Sequence, residues 1–214
     1  MSNHDLKREL RRDLRQKRRH WSGVDRDIAE EKICAAICED SHIQHARWIG
    51  IYLAFDGEVN LSRLWGGGRP IFNHDIESSR SSLIQTTSMT AQESILYSKL
   101  VFPRHQSKSP LSFVRPHRWV GRGALPLPEG PEIPLEDIDV LLIPGVAFSP
   151  AQGARLGLGG GHYDRTLALR VNKSWSVKAF GVGFCFQQRP QLPLDPWDAT
   201  LDGTFTELGL LEAH

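Results

Sequence analysis

The sequence predicts an α/β fold, a single domain with a mainly parallel sheet covered by helices on both faces. Three observations predict it. Helical and strand-like stretches alternate along the chain. Two apolar runs, Trp48–Leu53 and Val140–Ile143, are too continuous for half-exposed strands and have the length of buried ones. The 214 residues, 40% hydrophobic and 24% charged, suffice for a globular core and exclude a disordered, collagen-like or coiled-coil chain.

The first helix is marked by Leu6, Leu10 and Leu14 at i, i+4, i+8, with Lys7, Arg11, Arg15 and Arg18 on the neighbouring stripe. It is expected to dock by its leucines, with Lys7 and Arg11 at the edge of the seam and able to face a cleft. Ser22 followed by Asp25 reads as a capping box for a second helix with Ala29, Ile33, Ala36 and Ile37 as its apolar face. After the Trp48–Leu53 strand, Asn60–Ser62 starts a short helix through Leu64, stopped by Gly66–Gly68, and Pro70–Phe72 is a second strand. Residues 73–118 have weak periodicity and are expected to be a poorly ordered or extended excursion with one strand at Leu111–Phe113. The Pro-rich run 125–134 reads as a connection. Val140–Ile143 is ended by Pro144 and Gly145, and a loop leads to RLGLGGGHYDRTLALR at 155–170, helical through Leu167 and Leu169. Ala179–Phe184 is the final expected strand, before a tail with Asp195, Asp198 and Asp202.

Charge is unevenly spread. Residues 1–20 hold eight Lys/Arg against three Asp/Glu, a net +5, and the remainder is −4. Nucleic-acid or membrane binding would want a basic surface carried through the fold, which the acidic body does not supply. The plain alternative is a solvated helix face. No apolar stretch approaches the roughly 18–20 residues of a membrane span, and the amino terminus lacks the apolar core of a secretory signal, so a cytoplasmic setting is expected. Three cysteines make no disulfide framework. Cys34, Cys38 and His42 fall on one helical stripe, where core thiols are the alternative to metal ligands. Neither a GxSxG elbow nor a zinc-protease spacing occurs.

The strand, glycine-rich loop and helix around 140–167 form an arrangement in which backbone N–H groups cradle phosphate. It lacks GxxxxGK[ST], and Gly157 to His162 fails GxGxxG at its last position. Four glycines making only a tight turn is the alternative, but Arg155, Tyr163 and Asp164 crowd chemistry into the same ten residues.

DVLLIPGVAFSPAQGARLGLGGGHYDRTL resembles the signature of the 5-formyltetrahydrofolate cyclo-ligase family, also called 5,10-methenyltetrahydrofolate synthetases. Three islands agree in order and spacing: Lys7–Arg11 for the amino-terminal KxxLR, Tyr52–Glu58 for a strand and loop ending in glutamate, and Gln187 through Trp197-Asp198 to Thr206-Glu207. The resemblance covers most of the chain except 73 to about 118. It implies a three-layer α/β/α fold and ATP- and Mg²⁺-dependent conversion of 5-formyltetrahydrofolate to 5,10-methenyltetrahydrofolate, with ADP and phosphate released.

By the same resemblance, Lys7, Arg8, Glu9, Leu10 and Arg11, with Arg155, Leu156, Gly157, Leu158, Gly159, Gly160, Gly161, His162 and Tyr163, form the ATP site. Leu53, Glu58 and the turn Leu158–Tyr163 contact folate. Asp164 and Asp198 are the Mg²⁺ carboxylates, a pair that suits an ion taking one or two carboxylates and filling its shell with phosphate and water. Each carboxylate alone has a surface acid or helix cap as its alternative. Arg155, Tyr163 and Lys7 are the catalytic candidates. Departures are Gly160 where many members have lysine, His162 where many have tyrosine, and Gly123 where some have an aromatic wall, with Trp119 the nearest substitute. Arg12, Arg15, Lys17, Arg18 and Arg19 are left as a solvated face. A monomer acting on small molecules, with no nucleic-acid or membrane partner, is expected. The competing readings are a catalytically silent folate or nucleotide binder and a nucleic-acid module led by the basic arm.

Overall fold

A computed structural model describes residues 2–66, 96–105, 109–120, 127–170 and 175–213. Three helices open the chain: α1 (Asn3–His20), α2 (Val24–Glu39) and α3 (Ser41–His45). The capping box lies at Ser2 and Asp5, where the Ser2 hydroxyl accepts from the Asp5 N–H at 3.2 Å. The one expected at Ser22 and Asp25 does not form, because α2 starts from Gly23, with no side-chain cap bond. The docking stripe of α1 also differs from the leucine row. Lys7, Leu14 and Arg18 are the buried residues, and Leu6 is 38% exposed. The helix packs Leu10 and Leu14 on Ala147, Ala154 and Leu156, which turns its cationic edge inward and Leu6 outward.

The sheet has eight strands. β1 (Ile49–Gly50) lies between β7 (Val140–Pro144) and β2 (Leu100–Arg104), β7 is followed by β10 (Lys178–Val182) and β11 (Gly203–Thr206), and all four of these pairings are parallel. Antiparallel strands finish both edges: β12 (Gly209–Glu212) beside β11, and β3 (Ser112–Val114) then β6 (Glu132–Ile133) beside β2. Alternation along β7 sorts the two faces. Val140 and Leu142 pack with Ile33 and Ile37 of α2 and Ile43 of α3, whereas Leu141 and Ile143 pack with Leu167 and Trp175. Helices therefore cover both faces of a mostly parallel sheet in a single α/β domain. Among the described residues, no helix is long and apolar enough to cross a membrane.

Two hairpins stand apart, β4 (Arg118–Val120) with β5 (Leu127–Glu129) and β8 (Ala147–Ser149) with β9 (Ala154–Leu156). The second positions the site. The Phe148 ring, fully buried, fills a socket where a Cβ on Gly145, Gly181 or Gly183 would come within 2.6 Å of it. This anchors the hairpin at the carboxyl ends of β7 and β10. The glycine loop leaves β9 and enters α4 (His162–Leu167), so it follows the hairpin and not the core strand directly.

Several expectations are corrected. Part of the supposed excursion is core, since β2 is a central strand with Val101 and Phe102 fully buried. The Pro-rich run holds β5 and β6, which proline tolerates because they lie at edges. Ala179–Phe184 is not the last strand, because the tail adds β11 and β12. Residues 62–65 form a 3₁₀ turn. The expected strand at Pro70–Phe72, residues 73–95 and Gly123 lie outside the described residues. Cys34 is buried with its thiol 3.9 Å from the Asn60 carbonyl, and the His42 ring lies 5.6 Å from Phe180. Among the described residues no cluster of three or more His, Cys, Asp or Glu could hold a metal ion.

Candidate active site

A cavity of about 1100 Å³ opens where β1, β2 and β7 end, between α1, the glycine loop and the carboxyl-terminal tail. Parallel sheets place ligands there because the loops that follow the strands are free to vary.

One end is cationic. The i, i+4 spacing puts Lys7 and Arg11 on one face of α1, and both line the cavity. Lys7 Nζ donates to Asp195 at 2.7 Å and to Asp198 at 2.6 Å. Burial alone would lower the Lys7 ammonium, but the two aspartates outweigh it and hold it above its ordinary value. Arg11 Nε donates to the Gly157 carbonyl at 2.9 Å, tying the helix to the glycine loop across 146 residues of sequence. Arg155 projects from β9 with its side chain only 4% exposed, donates to Asp164 at 3.0 Å, and lies 5.4 Å from the centre of the Tyr163 ring. Its Nε is buried with no hydrogen-bond partner among the described residues. A buried donor left unpaired costs about 1–3 kcal/mol.

The loop Gly157–Gly161 carries left-handed backbone at Gly159 (φ +104°) and Gly161 (φ +64°), which glycine adopts without strain. Gly160 has no such requirement, and a Cβ there would meet only the far edge of the His162 ring, 2.9 Å away. A side chain at this position therefore needs only that the His162 ring yield.

The other end is more apolar and holds the buried carboxyl of Glu58. Tyr52, Leu53, Phe55, Pro103 and Tyr163 line it with His105 and His162. Glu58 Oε2 accepts from the Phe55 N–H at 3.1 Å. Burial pushes its carboxyl up to about 7, against the opposing pull of Arg18 and the Phe55 N–H. The Tyr52 hydroxyl donates to the Val59 carbonyl at 2.9 Å. Burial, with Glu58 nearby, lifts the Tyr163 phenol far above its ordinary range. The His105 and His162 rings meet edge to face at 5.1 Å.

Of the candidates, Lys7, Arg11, Leu53, Glu58, Arg155, Leu156, Gly157, Leu158, Gly159, Gly160, Gly161, His162, Tyr163, Asp164 and Asp198 all line this cavity. Arg8, Glu9 and Leu10 are not among its lining residues. Arg8 pairs with Asp5 at 3.0 Å, Glu9 stands 3.9 Å from Arg12, and Leu10 packs into the cluster with Leu156. Arg8 and Glu9 lie on the exposed face of α1, and Leu10 on the face that docks on the hairpin. Trp119 packs on Phe102 at 5.2 Å instead of walling the cavity. The supposed solvated face is largely occupied: Arg15, Arg18 and Arg19 all bond the Asp56 carboxylate, Arg18 is 1% exposed, and Lys17 lies over the Phe186 ring.

Asp195, Tyr52, His105 and Trp197 line the cavity without having been singled out for it. Asp195, three residues before Asp198, was readable as part of an acidic tail. His105 was hidden by the reading of its segment as an excursion. As magnesium donors, Asp164 and Asp198 offer hard carboxylate oxygens, partly exposed, and the Asp195 N–H donates to the Asp198 carboxylate at 2.9 Å. Their number suits an ion completed by phosphate and water.

Comparison with known proteins agrees with this architecture. A model of the 5-formyltetrahydrofolate cyclo-ligase family matches residues 72–207. The 5-formyltetrahydrofolate cyclo-ligase of Haemophilus influenzae is 27% identical over 206 residues, 93% of this chain and 96% of the relative. That of Saccharomyces cerevisiae is 31% identical over 170 residues, 74% of each chain. The solution structure of 5,10-methenyltetrahydrofolate synthetase from Aquifex aeolicus superposes with a TM-score of 0.71 at 28% identity, covering 97% of this chain and 92% of that one. The matched segment carries the glycine loop, both outer aspartates and Arg155, while the flanking helix brings Lys7 and Arg11 to them, and on this basis the chain belongs to the 5-formyltetrahydrofolate cyclo-ligase family.

Proposed function

We propose that the chain, as a single cyclo-ligase-like domain over residues 1–214, converts 5-formyltetrahydrofolate to 5,10-methenyltetrahydrofolate at the expense of ATP, releasing ADP and phosphate. The observation that carries this reading is the convergence of Lys7, Arg11, Arg155, the glycine loop and Glu58 on one cavity. A formamide oxygen is a poor leaving group. Transfer of the γ-phosphoryl group to that oxygen makes it a good one. N10 then attacks the formyl carbon, loses its proton, and phosphate departs as the ring closes.

Such chemistry asks the protein for alignment and charge neutralisation more than for a nucleophile. Lys7, Arg11 and Arg155, which all line the cavity, bind the polyphosphate. The loop amides of Gly157–Gly161 approach the phosphates closely because no side chain intervenes. Glu58 and Tyr163 hold the pterin, with Leu53 against it. Asp164 and Asp198 would hold Mg²⁺, which when bound supplies charge neutralisation on the phosphate oxygens.

A cytoplasmic setting suits a chain whose cysteines form no disulfide among the described residues, and we read the protein as a monomer. Arg15, Arg18 and Arg19 on Asp56, Arg8 on Asp5 and Arg12 beside Asp13 leave the arm few unpaired cations for nucleic acid. The test is simultaneous measurement of ADP release and methenyl absorbance with and without Mg²⁺. Both should rise together and only with the metal. Tight binding of ATP and 5-formyltetrahydrofolate without turnover would instead identify a silent relative.

A further inference from the structure

We propose that Arg18 is a positioning residue of the cleft, locking the turn that carries Glu58 to the helix that carries Lys7 and Arg11 and supplying the positive charge that faces Glu58. Its guanidinium is 1% exposed and spends its donors on two different segments. Nε donates to the Asp56 carbonyl at 2.9 Å and Nη2 to the Asp56 carboxylate at 3.1 Å, while Nη1 donates to the Gly145 carbonyl at 2.9 Å. Asp56 begins the turn to Glu58, and Gly145 follows β7 at the root of the hairpin that bears Arg155. One side chain thus joins α1, the Glu58 turn and the base of the glycine-loop hairpin. Only a guanidinium presents donors in a fork wide enough to do so.

The turn shows how tightly this is drawn. Asp56 is the described non-glycine residue with left-handed backbone, φ +56°. Such a conformation persists where surrounding bonds over-determine it, and here Arg15 at 2.7 Å and Arg19 reinforce Arg18 on the same carboxylate. Behind it, Arg26 of α2 donates to the Glu58 carbonyl at 2.9 Å and to the Arg18 carbonyl at 3.2 Å.

The charged and titratable groups around the Glu58 carboxyl are Arg18 from α1, Asp56 on its own turn, Tyr52 beyond β1 and Tyr163 of α4. Arg18 favours the ionised carboxylate and Asp56 opposes it, while Arg26 of α2 meets the Glu58 backbone carbonyl and is itself paired with Glu30. The pterin contact of Glu58 belongs to the proposed function, on which the catalytic meaning of this role rests. The coupling of Arg18 to Glu58 can be measured without any ligand.

The experiment is a carbon-13 titration of the Glu58 carboxyl in ligand-free protein, its resonance assigned with Glu58→Gln. Arg18→Gln should raise the midpoint by about one pH unit, the loss expected when a nearby opposite charge is removed. Arg18→Lys should leave the midpoint within a few tenths, while raising KM for 5-formyltetrahydrofolate about tenfold, as expected from a lost charge-assisted bond, with kcat within about twofold. An unchanged midpoint in Arg18→Gln, or an equal rise in both variants, overturns the proposal. An unchanged KM in Arg18→Lys overturns the positioning part. Should Arg18→Gln not fold, Arg18→Lys decides alone: a raised KM for 5-formyltetrahydrofolate with the midpoint held within a few tenths supports the proposal, and an unchanged KM refutes it. A wild-type protein that titrates as expected but shows no turnover would overturn the proposed function and leave the Arg18 coupling standing.

Discussion

Glu58 makes the reaction pocket weaken the fold that contains it. Its carboxyl has an ordinary value of 4.5 and is pushed up to about 7 by burial. In the folded state the proton is therefore held more tightly than in the unfolded chain. The stabilisation this gives is fully present below pH 4.5 and is lost as pH rises through about 7. At 1.36 kcal/mol per pH unit, the interval corresponds to a loss on the order of 3 kcal/mol, a sizeable fraction of the 5–15 kcal/mol that holds a typical domain together. Glu58→Gln mimics the protonated form, keeps an oxygen for the Phe55 N–H and cannot ionise. It should exceed wild type by about 1 kcal/mol at pH 5 and by about 3 kcal/mol at pH 8.5. Urea unfolding of both proteins, ligand-free, at the two pH values gives the comparison, and titrations common to both cancel in the difference. A difference between the proteins that is the same at both pH values would refute the reasoning. The same substitution should weaken folate binding, because a neutral amide is a poorer acceptor for pterin N–H groups than a carboxylate.

Arg155→Ala should lower kcat by at least about a hundredfold, the scale of a lost transition-state donor, with far-ultraviolet circular dichroism unchanged; undiminished turnover would remove Arg155 from the phosphate site. Lys7→Met leaves Asp195 and Asp198 without their cation and should cost about 3 kcal/mol of stability along with ATP affinity. Adding Asp195→Asn should restore melting temperature but not KM for ATP, and joint recovery of both would show that Lys7 acts only structurally. Gly160→Lys should lower KM for ATP about fivefold, at a backbone position that tolerates a side chain. A large loss of melting temperature would show that the His162 ring cannot yield.

The sequence made the centre of the fold legible because buried parallel strands write continuous apolar runs, as in Val140–Ile143. β2 has the same signature in Leu100-Val101-Phe102, but three residues ended by Pro103 are too short to stand out beside a long polar segment. β11 and β12 were hidden for a different reason: Gly203, Thr204 and Thr206 carry little apolar signal, and burial comes from neighbours supplied by the fold. In the site, the glycine loop and the Lys7–Arg11 pair were visible as local spacing. The partners Asp195, Arg18 and Asp56 were not, because their roles arise from contacts between segments distant in sequence. Periodicity along α1 distinguished cations from leucines, but it could not tell which cations the turn at Asp56 would bury.

The contact of Lys7 with Asp195 and Asp198 spans 188 and 191 residues, and Asn3 reaches the Leu194 carbonyl across the same gap. During synthesis the first helix leaves the ribosome long before its partners are translated. At roughly 5–20 residues per second, that wait is on the order of ten seconds or more. For that period Lys7 is without its two counter-charges, and the cavity lacks its carboxyl-terminal wall. A half-made chain thus has an open cavity, and completion of the tail is the event that closes it.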